Sequence, residues 1–239
     1  QPWLLAVASL VGVYGLTLLL AASSAALAAL LSLRDRWASS YVTVVALVGV
    51  TLVLAAPGTS APQTAAAATT RVRLVQVEDN LTLGLRLAAS PGLQPNTVVV
   101  FPEYATLDSP LQQPGIRRGL ASFARRHRVY LLVGCVEYHG RVGDMRRYDN
   151  IALLFAPSGR IVGKYRKHHP IPLFNEGRPG RDYPVFRTAA GALGVAICFD
   201  MDFEDVARRV AAKGAEVLVV PTADLSSWGR VQHLQHAAM

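Results

Sequence analysis

Only two cysteines occur in 239 residues, too few for a disulfide scaffold. Cys135 and Cys198 could form one bridge at most. Cys135 lies inside the apolar run YLLVGCVE, where a thiol packs as a small hydrophobe. We expect no bridge, because a nucleophilic Cys198 would have to stay reduced. Acidic residues are scarce as well, 16 against 24 Lys and Arg, for a net charge of +8. There is no Gly-rich phosphate loop, no G-x-S-x-G elbow and no H-E-x-x-H, which removes the usual P-loop, serine-hydrolase and zincin readings. Aromatics are not interleaved with the basic residues, so we expect no nucleic-acid partner despite the positive charge.

Charge itself is missing from two long stretches, Trp3 to Leu33 and Ala38 to Thr70. Each exceeds the ~20 apolar residues that cross a bilayer, and we expect residues 1–57 to hold two transmembrane helices, near Trp3 to Leu20 and Tyr41 to Ala56. A signal peptide is the competing reading of the first run, but it would need a basic start and a shorter apolar core. A pair of buried soluble helices is another. The link between the runs, Arg34-Asp35-Arg36, carries two arginines and favours the cytoplasmic side. The residues after the second helix then lie on the extracytoplasmic face of a bacterial cell membrane, in a multi-pass protein. The chain begins Gln-Pro and stops in a helix-like stretch at Met239, so we expect further residues at both ends.

Residues 58–70 are small and polar without periodicity, and read as a linker. From Arg71 onward short apolar runs alternate with helix-like segments. Strands are expected at RVRLVQVE, Thr97 to Phe101, Val129 to Glu137, Asn150 to Ala156, Ile161 to Tyr165, a run ending at Cys198, and Glu216 to Pro221. Helices are expected around Leu81 to Ala89, Pro110 to Arg128 with its arginines outward, Phe203 to Lys213, and from Trp228. Near-continuous apolar strands alternating with helices predict a layered α/β domain over 71–239.

Three groups carry chemistry. Cys198 ends the apolar part of LGVAICFDMD, which then opens onto acidic residues, and is either a core thiol or a nucleophile presented at a sheet edge. Glu103 follows Phe101-Pro102 at a strand end, where the proline stops ladder pairing and aims the carboxylate outward. It is either a solvated turn residue or a proton carrier for the thiol. Lys167 lies in KYRKHH, a run that reads equally as a basic surface or as the source of one inward ammonium for an oxyanion. Alternation puts Lys167 on the face of Tyr165 and opposite Arg166, without saying which face is inward. His168 and His169 are expected to be structural. His233 and His236 stand three apart on the last helix, a metal-compatible spacing with no evident third ligand. We expect no metal and no cofactor.

FPE, then GKYRKHH, then ICFD, in this order, resembles the Glu-Lys-Cys triad of the nitrilase (carbon-nitrogen hydrolase) superfamily. The resemblance implies an α-β-β-α sandwich, with Glu103 as general base and acid, Lys167 as oxyanion stabiliser and Cys198 as nucleophile. Glu176, in LFNEG, resembles a second active-site glutamate that positions substrate and lysine. With two membrane helices ahead of it, the domain is most similar to the apolipoprotein N-acyltransferase branch. That implies transfer of a fatty acyl group from phospholipid to the N-terminal amine of a lipoprotein through a Cys198 thioester. The tail PTADLSSWGRVQHLQHAAM is also similar to that branch, with Trp228 near the site. Asp200 stands where the branch usually carries glutamate, only 31 positions separate Lys167 from Cys198, and LFNEG holds one extra residue. The first two of these features also suit the alternative, a membrane-tethered amidase or nitrilase acting on small amides or nitriles.

Overall fold

The computed structural model describes residues 69–77, 80–142, 145–172 and 176–223, with positions 15, 17–18, 20–25, 28 and 49 of the N-terminal region. The chain divides into two units, Gln1–Ala67 with Ser227–Met239, and Ala68–Ser226. In the first, every described position is helical, Leu18 and Leu20 are exposed, and the Ser24 hydroxyl donates to the carbonyl of Leu20 at 2.9 Å. Among the described residues no helix is long and apolar enough to cross a membrane. The two expected spans fall almost wholly outside the described residues, as do Trp228, His233 and His236.

The second unit holds two sheets. Strands β1 (Val72–Leu74), β2 (Val98–Val100), β3 (Tyr130–Val142), β4 (Met145–Phe155) and β5 (Ile161–Arg166) form the first in that order. The pairs β1–β2 and β2–β3 are parallel, β3–β4 and β4–β5 antiparallel. Strands β6 (Val185–Thr188), β7 (Gly191–Val195) and β8 (Val217–Val219) form the second. Helices α1 (Leu81–Ala88) and α2 (Pro114–His127) belong with the first sheet, and α3 (Glu204–Ala212) with the second.

Strand alternation distributes the apolar residues of the first sheet between two cores. Val99, Phe101, Leu131, Val133, Cys135, Ile151, Leu153 and Phe155 face α1 and α2. Val98, Val100, Leu132, Ala152, Leu154 and Tyr165 face the second sheet and meet Leu193, Val195 and Ile197. Each such fully buried side chain contributes about 1.5–3 kcal/mol. Gly84 lets α1 approach closely, since a Cβ there would lie 2.6 Å from the Phe101 ring; at Gly194 it would meet Val210 of α3 at 3.0 Å. Helix, sheet, sheet, helix is the sandwich expected from the resemblance.

Local signals explain the helices. The Asn80 side chain accepts from the N–H of Leu83 at 2.9 Å and caps α1. In α2, Pro114 takes the first turn and Arg128 ends it in the left-handed region at φ 53°. Its arginines are exposed, as their spacing predicts. Three expectations need correction. The hairpin β3–β4 runs well beyond the two apolar runs, through the polar arms after Glu137 and before Asn150. Strand β6 was not expected at all. The strand before Cys198 ends at Val195, and Cys198 opens a 3-10 turn, Cys198–Asp202.

Candidate active site

Asn150 lies midway along β4, beside the end of β5, where the N–H of Lys167 donates to the Asn150 carbonyl at 3.0 Å. Paired residues share a face. Both side chains therefore point where Tyr165 and Ala152 point, toward the second sheet, which settles the parity question left by the sequence. Lys167 is fully buried, while its neighbour Arg166 on the opposite face is partly exposed.

Lys167 Nζ lies 2.9 Å from Oε1 of Glu103 and 2.9 Å from Oε1 of Glu176. Both carboxylates are buried. Asn150 Nδ2 reaches the same two oxygens, at 2.7 Å and 3.1 Å, and the Tyr104 hydroxyl at 2.9 Å. Tyr104 in turn donates to Glu176 Oε1 at 2.5 Å. Burial pushes the Lys167 ammonium down, but the charges and hydrogen bonds of Glu103 and Glu176 outweigh it and hold the group above its ordinary value. Burial first, then the hydrogen bond to Glu176, drives the Tyr104 phenol far up. Tyr104 is therefore a neutral donor at any physiological pH.

The two glutamates differ in what their second oxygens hold. Glu176 Oε2 takes the N–H of Ile171 at 2.6 Å, so Tyr104, Asn150, Lys167 and Ile171 all donate to this one side chain. Glu103 Oε2 is met by the N–H of Ala223 at 3.2 Å. Glu176 is thus the more fully held of the two, and Glu103 Oε2 is the oxygen that keeps room for a further partner.

Cys198 is half-buried and adopts φ +45°, a conformation a non-glycine residue holds only when its surroundings impose it. Here they do. Its own N–H donates to the Pro221 carbonyl at 3.0 Å, two residues before the N–H that Glu103 receives. Asp200, two residues on, is fully buried. Its Oδ1 accepts the N–H groups of His168 and His169 at 3.0 and 2.8 Å, and Oδ2 accepts the N–H of Ile197 at 2.9 Å and the Tyr165 hydroxyl at 2.7 Å. Asp200 thus clamps the Cys198 turn to the segment that carries Lys167. The histidines brace the same joint: His168 stacks on Tyr183 at 4.1 Å and His169 bonds Asp205 at 2.8 Å.

Cys135 has another character. It is wholly buried, not bridged to Cys198, and burial pushes its thiol far up. It is a packing residue. On its face of the sheet, Glu137, His139 and Asp149 bring ligand atoms within 4.8 Å of one another. The same carboxylates already hold Lys164, Arg166 and Arg178 at 2.8 to 3.8 Å. Three permanent cations thus already balance the two carboxylates.

A family model described as carbon-nitrogen hydrolase matches residues 64–239. The chain belongs to the carbon-nitrogen hydrolase family. Among this family's curated members it is 37% identical over 109 residues to nitrilase 1 of Arabidopsis thaliana, covering 44% of this chain and 30% of that one. To omega-amidase NIT2 of Homo sapiens it is 28% identical over 160 residues, covering 62% and 55%. The chain thus spans less than two thirds of either relative. Among solved structures it matches an amidase from Nesterenkonia sp. at 24% identity and TM-score 0.54, covering 69% of this chain and 68% of that one. It matches Nit3 of Saccharomyces cerevisiae at 24% and 0.56, covering 70% and 69%. At these identities the structures establish a shared carbon-nitrogen hydrolase fold.

Glu103, Lys167, Glu176 and Asp200 were read from the sequence, and the fold brings the first three into direct contact. Asn150, Tyr104 and Tyr165 were not. Tyr104 follows Glu103, and Asn150 is a polar residue just ahead of the apolar run IALLF. Those were the available signals.

Proposed function

We propose that this carbon-nitrogen hydrolase uses Cys198 to take an acyl group from a small amide and passes it to water. The observation that carries the reading is the buried cluster of one ammonium between two carboxylates, of which Glu103 alone keeps a loosely held oxygen. The thiol proton goes to Glu103, and sulfur attacks the carbonyl carbon. The resulting oxyanion is met by Lys167. Glu103 returns the proton to the departing nitrogen, the C–N bond breaks, and a thioester remains on Cys198. Glu103 then takes a proton from water, whose oxygen attacks the thioester; the carboxylic acid leaves and the thiol is restored. Glu176, Asn150 and Tyr104 hold Lys167 and Glu103 in place. Relatives named as nitrilase and omega-amidase support the hydrolase assignment, as does the short span from Lys167 to Cys198.

A second reading rests on one observation, the two charge-free stretches among the first 70 residues. With an amine as acceptor in place of water, the same thioester would give membrane-bound N-acyl transfer from phospholipid to a lipoprotein, on the extracytoplasmic face. One experiment separates the two: intact mass of the full chain after incubation with phospholipid, and ammonia release from simple amides, each beside Cys198→Ala. Ammonia release that is lost in the variant, without a lipid-derived adduct, supports the hydrolase. A hydroxylamine-sensitive acyl adduct from phospholipid replaces it with the acyltransferase. Neither signal overturns both.

A further inference from the structure

Helix α2 presents three arginines on one side. Positions 117, 118 and 125 fall within about 100° of helical rotation, with Ala121 at the centre. The small Ala121 side chain leaves a hollow. Its second wall is the turn between β4 and β5, closed by the N–H of Gly159 on the Ala156 carbonyl at 2.7 Å and the N–H of Ala156 on the Arg160 carbonyl at 2.8 Å. Gly159 has φ +75°, and a Cβ there would lie 2.7 Å from the Ala121 carbonyl and 3.0 Å from the Arg125 side chain. Turn and helix are thus in direct contact. Between them lies a cavity of about 370 Å³, with Arg117, Arg118, Arg125 and Arg160 around it.

All four arginines are exposed, and among the described residues none of them forms an ion pair. Elsewhere this chain gives its guanidinium groups partners: Arg166 and Arg178 share Asp149, and Arg208 pairs with Glu204. No acidic residue occurs between Asp108 and Glu137, so the α2 arginines have no carboxylate nearby in sequence. Four like charges gathered at one hollow repel one another unless an anion joins them. Guanidinium forks match phosphate oxygens two at a time. The volume lies at the lower end of the range that takes a small molecule.

We propose that the hollow between α2 and the β4–β5 turn is a binding site for a phosphate group. The bound phosphate is either that of a soluble phosphate compound or that of a phospholipid headgroup. The site is separate from the cluster around Lys167 and is independent of which acyl acceptor the enzyme uses.

The test is calorimetric titration of the full chain at low salt with sodium pyrophosphate, and separately with glycerophosphoglycerol, a soluble phosphodiester headgroup. Two variants of equal charge are compared: Arg117→Gln with Arg118→Gln in the hollow, and Arg86→Gln with Arg187→Gln on other exposed surfaces. We expect pyrophosphate to bind the unaltered chain. The first variant should weaken binding at least tenfold, and the second should change it less than twofold. Binding of glycerophosphoglycerol that is lost in the first variant identifies a lipid headgroup as the source; binding of pyrophosphate alone identifies a soluble phosphate. No binding of either probe to the unaltered chain overturns the site, and so does equal weakening in both variants or none in the first.

Discussion

The two faces of β3, β4 and β5 carry two charged clusters, built on adjacent residues and opposite in character. On one face, Glu137, Asp149, Lys164 and Arg166 meet Arg178 and His139, a partly exposed group with three permanent cations for two carboxylates. On the other, Asn150 and Lys167 meet Glu103, Glu176 and Tyr104, wholly within the protein except for part of Tyr104, with one cation for two carboxylates. Every carboxylate of the outer cluster is matched by cations, which suits a brace. The inner cluster sets two buried carboxylates against one ammonium, and carboxylates in such clusters are the ones enzymes use for proton transfer, the role proposed for Glu103. The outer cluster serves the inner one: the N–H of Arg178 donates to Asp149 at 3.1 Å, which ties the loop just after Glu176 to the residue just before Asn150.

The largest effect should come from Cys198→Ala. With the proposed nucleophile removed, turnover should fall by on the order of 10⁴-fold or more, while the thermal melt shifts by only a few degrees. Residual activity near the starting level would assign the chemistry elsewhere. Next, Lys167→Met strips the only cation that the described residues give the inner cluster and leaves two carboxylates facing each other, at a cost of about 3–5 kcal/mol. The matched Arg166→Met on the outer face costs about 1 kcal/mol or less, since Arg178 and His139 still hold Asp149. Urea titration of both variants measures the contrast, and equal costs would erase the distinction between the faces.

Asn150→Ala is a finer probe. It removes the uncharged side chain that, beside Lys167, donates to both glutamates, a pair of charged hydrogen bonds worth about 1.5–3 kcal/mol each when made well. We expect kcat to fall roughly ten- to a hundredfold and the acid limb of the rate profile to move, with KM little changed. A rise in KM alone would make Asn150 a substrate contact and not a positioning residue.

The order Glu103, Lys167, Cys198 was legible because each follows an apolar run and each is of a distinctive chemical type. Lys167 and Tyr165 could be placed on one face by alternation alone. Which face was inward depended on Asp200, whose four hydrogen bonds come from residues 165, 168, 169 and 197; no local pattern encodes that convergence. Strand β6 was missed because VFRT is four residues long with a central arginine, and its partner β7 supplies the pairing. The β3–β4 arms were missed for the opposite reason: residues such as His139, Gly140 and Arg147 read as loop, and only the neighbouring strand's ladder makes them extended.

The smallest effects lie in pH, and they separate the faces by window. Burial pushes His168 below its ordinary 6.5, against the opposing pull of Asp200 and Asp205. The unfolded chain therefore takes up this proton first, and the inner joint loses stability as pH falls below about 6.5. Asp149 is pushed up by burial, but the backbone and side chain of Arg178, then His139 and Arg166, bring it below its ordinary 3.8. Its contribution is complete above about pH 3.8 and is lost as pH falls through the lower folded value. Chemical denaturation across pH 3 to 8 should therefore give a decline in two stages. His168→Gln should flatten the upper stage and leave the lower, and Asp149→Asn should do the reverse. If either substitution flattened both stages, the two faces would be titrating as one network, and the division between a brace and a proton-accepting cluster would have to be abandoned.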